Sequence, residues 1–435
     1  MKRFKITKGH NLKLDGQPSD EIIIIKDPSI ISFHPNSIKN IKTKLLVKEG
    51  DSVKIGTPLF YDKKNEKSLF VSTCSGTVKS IVFGPRRVVE TIDIDNDGNN
   101  IKEDIDNKID RENLLKSGLW TSIRQKPYSK IPHFKSSPKS IFISAMPTEP
   151  FAMNYEYLMG SIDNYLQSGI NALRTMFDCE INFISSENSS LTDLNNVNHF
   201  SFNNLHPAGN VGVHIHNIDS IKNSDDTRWY LSLQDLNRMG QFFDTGDYPK
   251  YKYVNVGGNS INNPAIRKVL IGTKIKDILG DIPSDVYLIS GDVLNGKKTS
   301  SDAPLGCHDE IISLIKTDNK RNFLGWLMPG FNKYSLTNLF FSKLINNKKS
   351  QLSTKKNGSV RTIIPMGNWD RVMPMNILSE YMVKSILAKD IDMMEKLGIY
   401  ECSPEDFALC SFICQSKVEV SKIIEEGLDM MEQEG

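Results

Sequence analysis

At 435 residues and 49.1 kDa, the chain is longer than a single hydrophobic core usually organises, so several domains are expected. Fifty-four Lys and Arg against 52 Asp and Glu leave a formal charge of +2, too weak an overall field to indicate nucleic-acid wrapping or strong attraction to an anionic membrane. Six scattered cysteines exclude a disulfide scaffold and fit a reducing compartment, and the best apolar run, 21–33, is broken by Lys26, Asp27 and Pro28 before it could span a bilayer.

The basic N-terminus lacks the apolar core and small-residue cleavage site of a secretory signal, so a cytoplasmic location is expected, with any membrane attachment made through a partner. The first hundred residues read as short strands punctuated by Gly, with candidates at 45–47, 53, 59–61, 69–72, 78–83 and 88–94. A charged stretch at 96–110 leads through 111–120 to a polar, Pro-bearing linker at 125–138. A buried strand at 140–145, one helix at 155–173, a strand at 180–185, a strand at 212–218 and a helix at 231–240 then describe a parallel α/β unit. Shorter elements follow: strands at 253–257, 265–271 and 286–290 with a short helix at 275–279, as in a small β-grasp module. Strands at 310–315 and 360–365 bracket a polar insertion, and the chain ends as a helical cap from 376. The expected architecture is therefore multidomain α/β (α+β): an N-terminal barrel-sandwich hybrid at 1–110, a Rossmann-like α/β domain at 111–250, a β-grasp (SLBB-like) module at 251–320 and a C-terminal strand and helical domain at 321–435.

Several motifs approach known chemistry without completing it. Gly50, Gly56 and Gly76 allow the tight turns of a lipoyl- or biotinyl-type module, but Lys63 and Lys64 lack the frame of a carrier lysine. Gly291 to Lys298 nearly spells a phosphate-binding loop, yet Lys298 occupies the Ser/Thr position, so a hairpin turn is expected. Asp93, Asp95, Asp97 and Asp104 mimic a calcium loop in a context that reads as a strand and an acidic turn. No G-x-G-x-x-G follows a strand, and Cys402, Cys410 and Cys414 lack the spacing and fourth thiolate of an iron–sulfur cluster.

The densest polar constellation runs from His206 through Gly209 to His214 and His216. On a strand, the last two would share a face; a metal site would still need a third ligand, leaving a ligand or subunit contact and packed structural histidines as readings. A quinone site needs an apolar, aromatic-lined cleft with donors for its carbonyl oxygens. The candidate donors are His206, His214 and His216 beside Gly209, with Phe151, Tyr155 and Trp229 as walls.

Taken in order, these segments resemble the NqrA subunits of the bacterial Na+-translocating NADH:quinone reductases. The resemblance rests on 47–60 with 75–78, Pro85-Arg86-Arg87-Val88, His206-Pro207-Ala208-Gly209 with His214-Ile215-His216, Gly257-Gly258 and Asn262-Asn263-Pro264. It continues through Ser290-Gly291-Asp292, Gly325-Trp326, Pro329-Gly330 with Asn332-Lys333, the stretch Gly367 to Pro374, and Glu405-Asp406-Phe407-Ala408-Leu409-Cys410. It implies a peripheral subunit on the cytoplasmic side of the inner membrane, without a flavin, iron–sulfur cluster or catalytic residue of its own. Quinone, ubiquinone or menaquinone, would be the substrate of the assembled enzyme. NADH, FMN or FAD and the Fe–S centre would sit on partner subunits, among them a flavin-carrying integral membrane protein. An Rnf-like subunit working between NADH and ferredoxin, or a scaffold subunit with no redox role, are the alternatives.

Overall fold

The fold comes from a computed structural model, which describes residues 2–318, 324–325, 327–331, 333–334, 340–343, 349–356 and 358–434. Trp326 and Asn332, which the resemblance invoked, lie outside the described residues.

Two small sheets form the N-terminal module. One has the order Ile30–Phe33, Val89–Asn96, Gly76–Phe83, Ser52–Val53; the other has the order Thr43–Leu45, Pro58–Asp62, Asn65–Val71. Ile31, Leu59, Phe60, Val78, Ile92 and Ile94 close its core. Lys63 and Lys64 form the exposed tip of the hairpin between Pro58–Asp62 and Asn65–Val71. Asn65 beside them is fastened elsewhere: its amide donates to the Pro132 carbonyl at 2.9 Å and accepts from the Phe134 N–H at 2.9 Å.

A six-stranded sheet organises the second unit, in the order Lys2–Phe4, Asn198–Phe202, Glu180–Ser186, Ser140–Ser144, Arg228–Ser232, Arg124–Lys126. All pairings are parallel except the last. Ser140–Ser144 is buried at four of five positions, as expected for a parallel strand covered on both faces. The expected helix at 155–173 is two helices, Tyr155–Ser161 and Leu166–Met176. Asn154 caps the first; between them the Asn164 side chain accepts from the Leu166 N–H at 3.1 Å, a local alternative to helical pairing that ends the continuous spiral. Strands Lys2–Phe4, Asn198–Phe202 and Arg228–Ser232 had no counterpart in the sequence reading; each is short and borrows its stability from neighbours.

The third sheet has the order Lys297–Lys298, Val286–Ser290, Ile311–Lys316, Tyr251–Gly257, Ala265–Leu270, Ser19–Ile24. Residues 291–296 form the turn between antiparallel Val286–Ser290 and Lys297–Lys298, as the failed phosphate-loop reading implied. The N-terminal arm thus contributes to three sheets: Lys2–Phe4 to the parallel sheet, Ser19–Ile24 to this one and Ile30–Phe33 to the first module. The expected strand at 360–365 is absent. That stretch lies against the exit of helix Ala408–Ile413, with the Arg361 N–H bonded to the Ser416 carbonyl and Ser416 Oγ to the Thr362 carbonyl, each at 2.8 Å. Helices Ser379–Ala388, Ile391–Lys396, Ala408–Ile413 and Val420–Glu434 complete the C-terminal cap.

Candidate functional site

The carboxyl ends of the parallel strands carry two polar assemblies. The first is the segment following Asn198–Phe202. Residues 212–218, expected as a strand because Val, His and Ile alternate there, belong to helix Val211–Ile218. Two positions along a helix lie about 200° apart, so His214 and His216 diverge instead of sharing a face. His214 turns inward: it is fully buried, donates from Nε2 to the Ala208 carbonyl at 2.7 Å, and tilts against Phe202 with ring centroids 5.0 Å apart. His206 is equally enclosed, with Thr148 Oγ1 3.2 Å from its Nδ1. That hydroxyl also accepts from the Gly209 N–H at 2.9 Å, tying the imidazole to the backbone of the turn. Burial lowers both histidines to about 4, and they are neutral at physiological pH.

His216 turns toward the cap. Its Nδ1 lies 2.6 Å from Glu401 Oε2 and its Nε2 accepts from the Asn376 N–H at 3.0 Å, which places the proton on Nδ1, facing the carboxylate. Beside it Lys126 and Asp406, both with fully buried side chains, meet at 3.1 Å. Lys126 also donates to the Glu401 carbonyl and Ser403 Oγ, and Asp406 accepts from the Ser403 N–H and hydroxyl and from Asn210 Nδ2. Burial alone would discharge Lys126; Asp406 and Glu405 raise its pKa instead. The approach is close enough to require glycine: a Cβ on Gly209 would lie 2.4 Å from the Met146 carbonyl oxygen, and one on Gly212 2.2 Å from Asp406 Oδ2. His206, Gly209, His214 and His216 therefore fasten strand ends, N-terminal arm and cap together.

The second assembly lies where the strand order reverses, between Ser140–Ser144 and Arg228–Ser232, the position at which open α/β sheets leave a crevice. Phe151 is buried there at a φ of 64°, and its carbonyl and that of Ala152 accept from Asn255 Nδ2 at 3.0 and 2.9 Å. Tyr155, at the start of its helix, donates to Glu310 Oε2 at 2.5 Å, and burial holds its phenol well above the ordinary value. Glu149, from the loop after Ser140–Ser144, faces Asp292 of the hairpin turn, Glu310, and Glu405 of the cap; desolvation and this like charge push it up to about 8. Asp292, whose Oδ1 accepts from the Leu294 N–H at 2.6 Å, is raised to about 6, mainly by burial. His308 on the same side is lowered to about 4 by burial and by Arg124. A Glu149 carboxyl protonated at neutral pH can donate a hydrogen bond to a carbonyl oxygen. Trp229 is fully buried against Trp120 and Phe177, at ring distances of 5.3 and 5.1 Å, in the core cluster that also holds Tyr155 but not Phe151. The structure buries Phe151 in the core cluster that also holds Phe202 and Val213, places Tyr155 in the same cluster as Trp229, and sets the histidines and Gly209 at the ends of the parallel strands.

Comparison with known proteins decides the family. The model of the NqrA N-terminal barrel-sandwich hybrid domain matches residues 4–97, and that of the NqrA second alpha/beta domain matches residues 105–248. Proteins named as the NqrA component of Na(+)-translocating NADH-quinone reductase match end to end. The one from Marinomonas sp. is 32% identical over 99% of this chain and 100% of its own; that from Rhodopirellula baltica is 32% identical over 99% and 98%. The Pseudomonas aeruginosa protein is 33% identical over 99% and 100%. The chain belongs to the NqrA family.

Within this NqrA-family chain, the three tail cysteines are buried, and burial raises Cys402 and Cys410 far above an ordinary thiol. Of the calcium-like run, Asp95 pairs with Lys79 at 2.9 Å and Asp97 accepts from Ser75 Oγ at 2.6 Å. No group of His, Cys, Asp or Glu among the described residues is arranged to hold a metal ion.

Sequence reasoning missed Lys126, Glu149, Glu310 and Glu401. Lys126 lay in the stretch read as a polar linker, and its zero exposure follows from a partner 280 residues away. Glu149 did leave a signal: a carboxyl just beyond a buried strand at the end of a parallel sheet is where such folds bind ligands.

Proposed function

We propose that this NqrA-family chain is a peripheral subunit of a membrane complex that couples electron transfer from NADH to quinone with Na+ export, and that it has an assembly and quinone-proximal role. The supporting observation is the end-to-end correspondence with the Marinomonas protein, 99% of this chain against 100% of that one. Among the described residues no helix is long and apolar enough to cross a membrane, so contact with the membrane subunits is made by its surface. In this reading flavin, Fe–S centre and the NADH site belong to partners, and the chain sits on the cytoplasmic side. In the same reading it keeps modules at 1–110, 111–250, 251–320 and 321–435, the third a β-grasp, with the N-terminal arm strands Lys2–Phe4 and Ser19–Ile24 lent to the sheets of the second and third modules.

Within the same proposal the quinone-facing part is the crevice at the strand-order reversal. Phe151 and Tyr155 supply apolar surface, protonated Glu149 a donor, and the His206–His216 segment the rigid wall behind them. A tag on this chain, gentle detergent extraction from native membranes and an assay of Na+-stimulated NADH:quinone activity test the subunit role. Flavin-bearing membrane proteins and activity should come with it; a chain recovered alone and inactive would refute it. A photoreactive quinone analogue on the assembled complex tests the crevice: labelled peptides from this chain should cover 145–160. Label confined to other subunits would reject a quinone-proximal role.

A further inference from the structure

A cavity of about 290 Å³ lies where three modules meet, and it shares no lining residue with the crevice or with the histidine junction. Ile55 and Lys102 reach it from the N-terminal module, the 162–165 connection and helix Leu233–Thr245 from the parallel α/β unit, and Tyr251, Tyr253 and Lys268 from the third sheet. Small-molecule sites favour such boundaries, and this volume stands at the lower limit of their usual range of about 300–1,000 Å³, so the occupant is a compact molecule. Most polar groups around the cavity are already committed. Gln234 pairs both ends of its amide with the backbone of Tyr253. Asn237 accepts from the Tyr165 N–H at 2.7 Å and donates to the Asp163 carbonyl at 3.1 Å. Arg238 is held by Asp235 at 2.8 Å and by the Pro249 carbonyl at 3.2 Å, and Lys102 by Asp247.

The groups left free can all donate. Lys268 has no carboxylate within ion-pair distance among the described residues; its ammonium lies over the Tyr251 and Tyr253 rings, 4.9 and 6.0 Å from their centroids. Lys250, bonded to Asn100, stands 5.0 Å from the same Tyr251 centroid. Tyr165, Tyr248 and Tyr253 line the cavity with hydroxyls that have no hydrogen-bond partner among the described residues, and burial raises the Tyr248 phenol to about 12, so it keeps its proton. Free donors call for an acceptor, the uncompensated charge of Lys268 calls for an anion, and the tyrosine rings offer flat apolar faces. One open ammonium matches a carboxylate, whereas the guanidinium fork that would suit a phosphate is already closed on Asp235. Asp163 at the rim is exposed, so water screens its repulsion.

We propose that this cavity binds a small aromatic carboxylate, with Lys268 holding the carboxylate and the tyrosines holding the ring. The site is separate from the quinone-facing crevice and does not depend on it. Because its walls come from three modules, an occupant ties their seam together and slows local opening there.

The test is a ligand-observed NMR titration of the purified full chain with cinnamate, cinnamyl alcohol and phenyl phosphate, with hydrogen exchange to locate the contact. Cinnamate should bind saturably at roughly millimolar concentration, about tenfold more tightly than the alcohol and more tightly than phenyl phosphate. Protection should appear at 162–166, 237–254 and 266–269 and not at 145–160. Lys268→Gln should weaken cinnamate binding about tenfold and Lys268→Arg should keep most of it. Gln241→Trp, which retains every cation and fills the cavity, should abolish it in a chain of unchanged melting temperature. Absence of saturable binding would overturn the proposal and make the cavity a water-filled seam. Equal binding of the alcohol, tighter binding of phenyl phosphate, or indifference to Lys268→Gln would overturn it as well, and so would protection confined to 145–160, which would move the ligand to the crevice. Failure here leaves co-purification with flavin-bearing subunits untouched, so the two readings fall separately.

Discussion

Replacing Asp406 by Asn isolates the buried ion pair that joins the cap to the parallel sheet. Asp406 receives Lys126 Nζ at 3.1 Å, the Ser403 N–H at 3.1 Å, Ser403 Oγ at 2.6 Å and Asn210 Nδ2 at 3.3 Å. An amide keeps the volume and one acceptor oxygen, so most neutral hydrogen bonds can survive in altered form. What cannot survive is the counter-charge of Lys126, whose side chain is fully enclosed. Losing a cap or a single neutral bond costs about 1 kcal/mol, whereas leaving one partner of a buried pair uncompensated costs about 3–5 kcal/mol, so the charge term dominates. The cost falls on the attachment of the cap, because Lys126 belongs to the sheet edge and Asp406 to the turn before Ala408–Ile413. Hydrogen exchange reads it locally: amides of Ala408–Ile413 and Val420–Glu434 that exchange through cap opening should do so roughly two to nearly four powers of ten faster, with strand Ser140–Ser144 little changed. Lys126→Met/Asp406→Leu, which removes both charges, should recover most of the protection. A single-substitution effect below about 1 kcal/mol, or a double variant as damaged as the single one, would refute the argument that the pair is held by mutual neutralisation.

Four further outcomes follow from the same geometry. Glu149, raised from 4.5 to about 8, binds its proton more tightly folded than unfolded; its contribution is complete below pH 4.5 and is lost as pH rises through 8. Glu149→Gln should therefore flatten the fall in melting temperature between about pH 4.5 and 8, and an unchanged slope there would contradict the assignment. His206 and His214, lowered from 6.5 to about 4, act in the opposite sense: their contribution is complete above pH 6.5 and disappears as pH falls through 4, so His214→Gln should make the acid limb shallower. His216→Ala removes the bridge from Glu401 to the Asn376 N–H and should lower stability in urea by about 1–3 kcal/mol, with no loss if the bridge is only a surface contact. A thiol reagent on the native chain should reach at most Cys179 and Cys307 and find all six cysteines after denaturation; rapid native labelling of Cys402, Cys410 or Cys414 would show an open cap.

How far the sequence could be read depended on where each signal originates. Strands such as Gly76–Phe83 and Val89–Asn96 were legible because their alternating pattern and flanking glycines act within a few residues. Helix Val211–Ile218 was misread for the same reason in reverse: alternation of Val, Ile and His imitates a strand, while the choice of helix comes from burial against the sheet and from Asp406, nearly two hundred residues away. Lys2–Phe4 could not have been assigned to the parallel sheet locally, since its partner is Asn198–Phe202. The same distinction governs the site. His206, Gly209, His214 and His216 caught attention as a dense local cluster, and in the structure they lie at a junction where strand ends and cap approach closely. Glu149, Asp292 and Glu310 are unremarkable where they stand in sequence, and burial raises their pKa values only when distant segments converge around them. Local pattern thus locates the rigid frame, and convergence creates the chemically unusual groups.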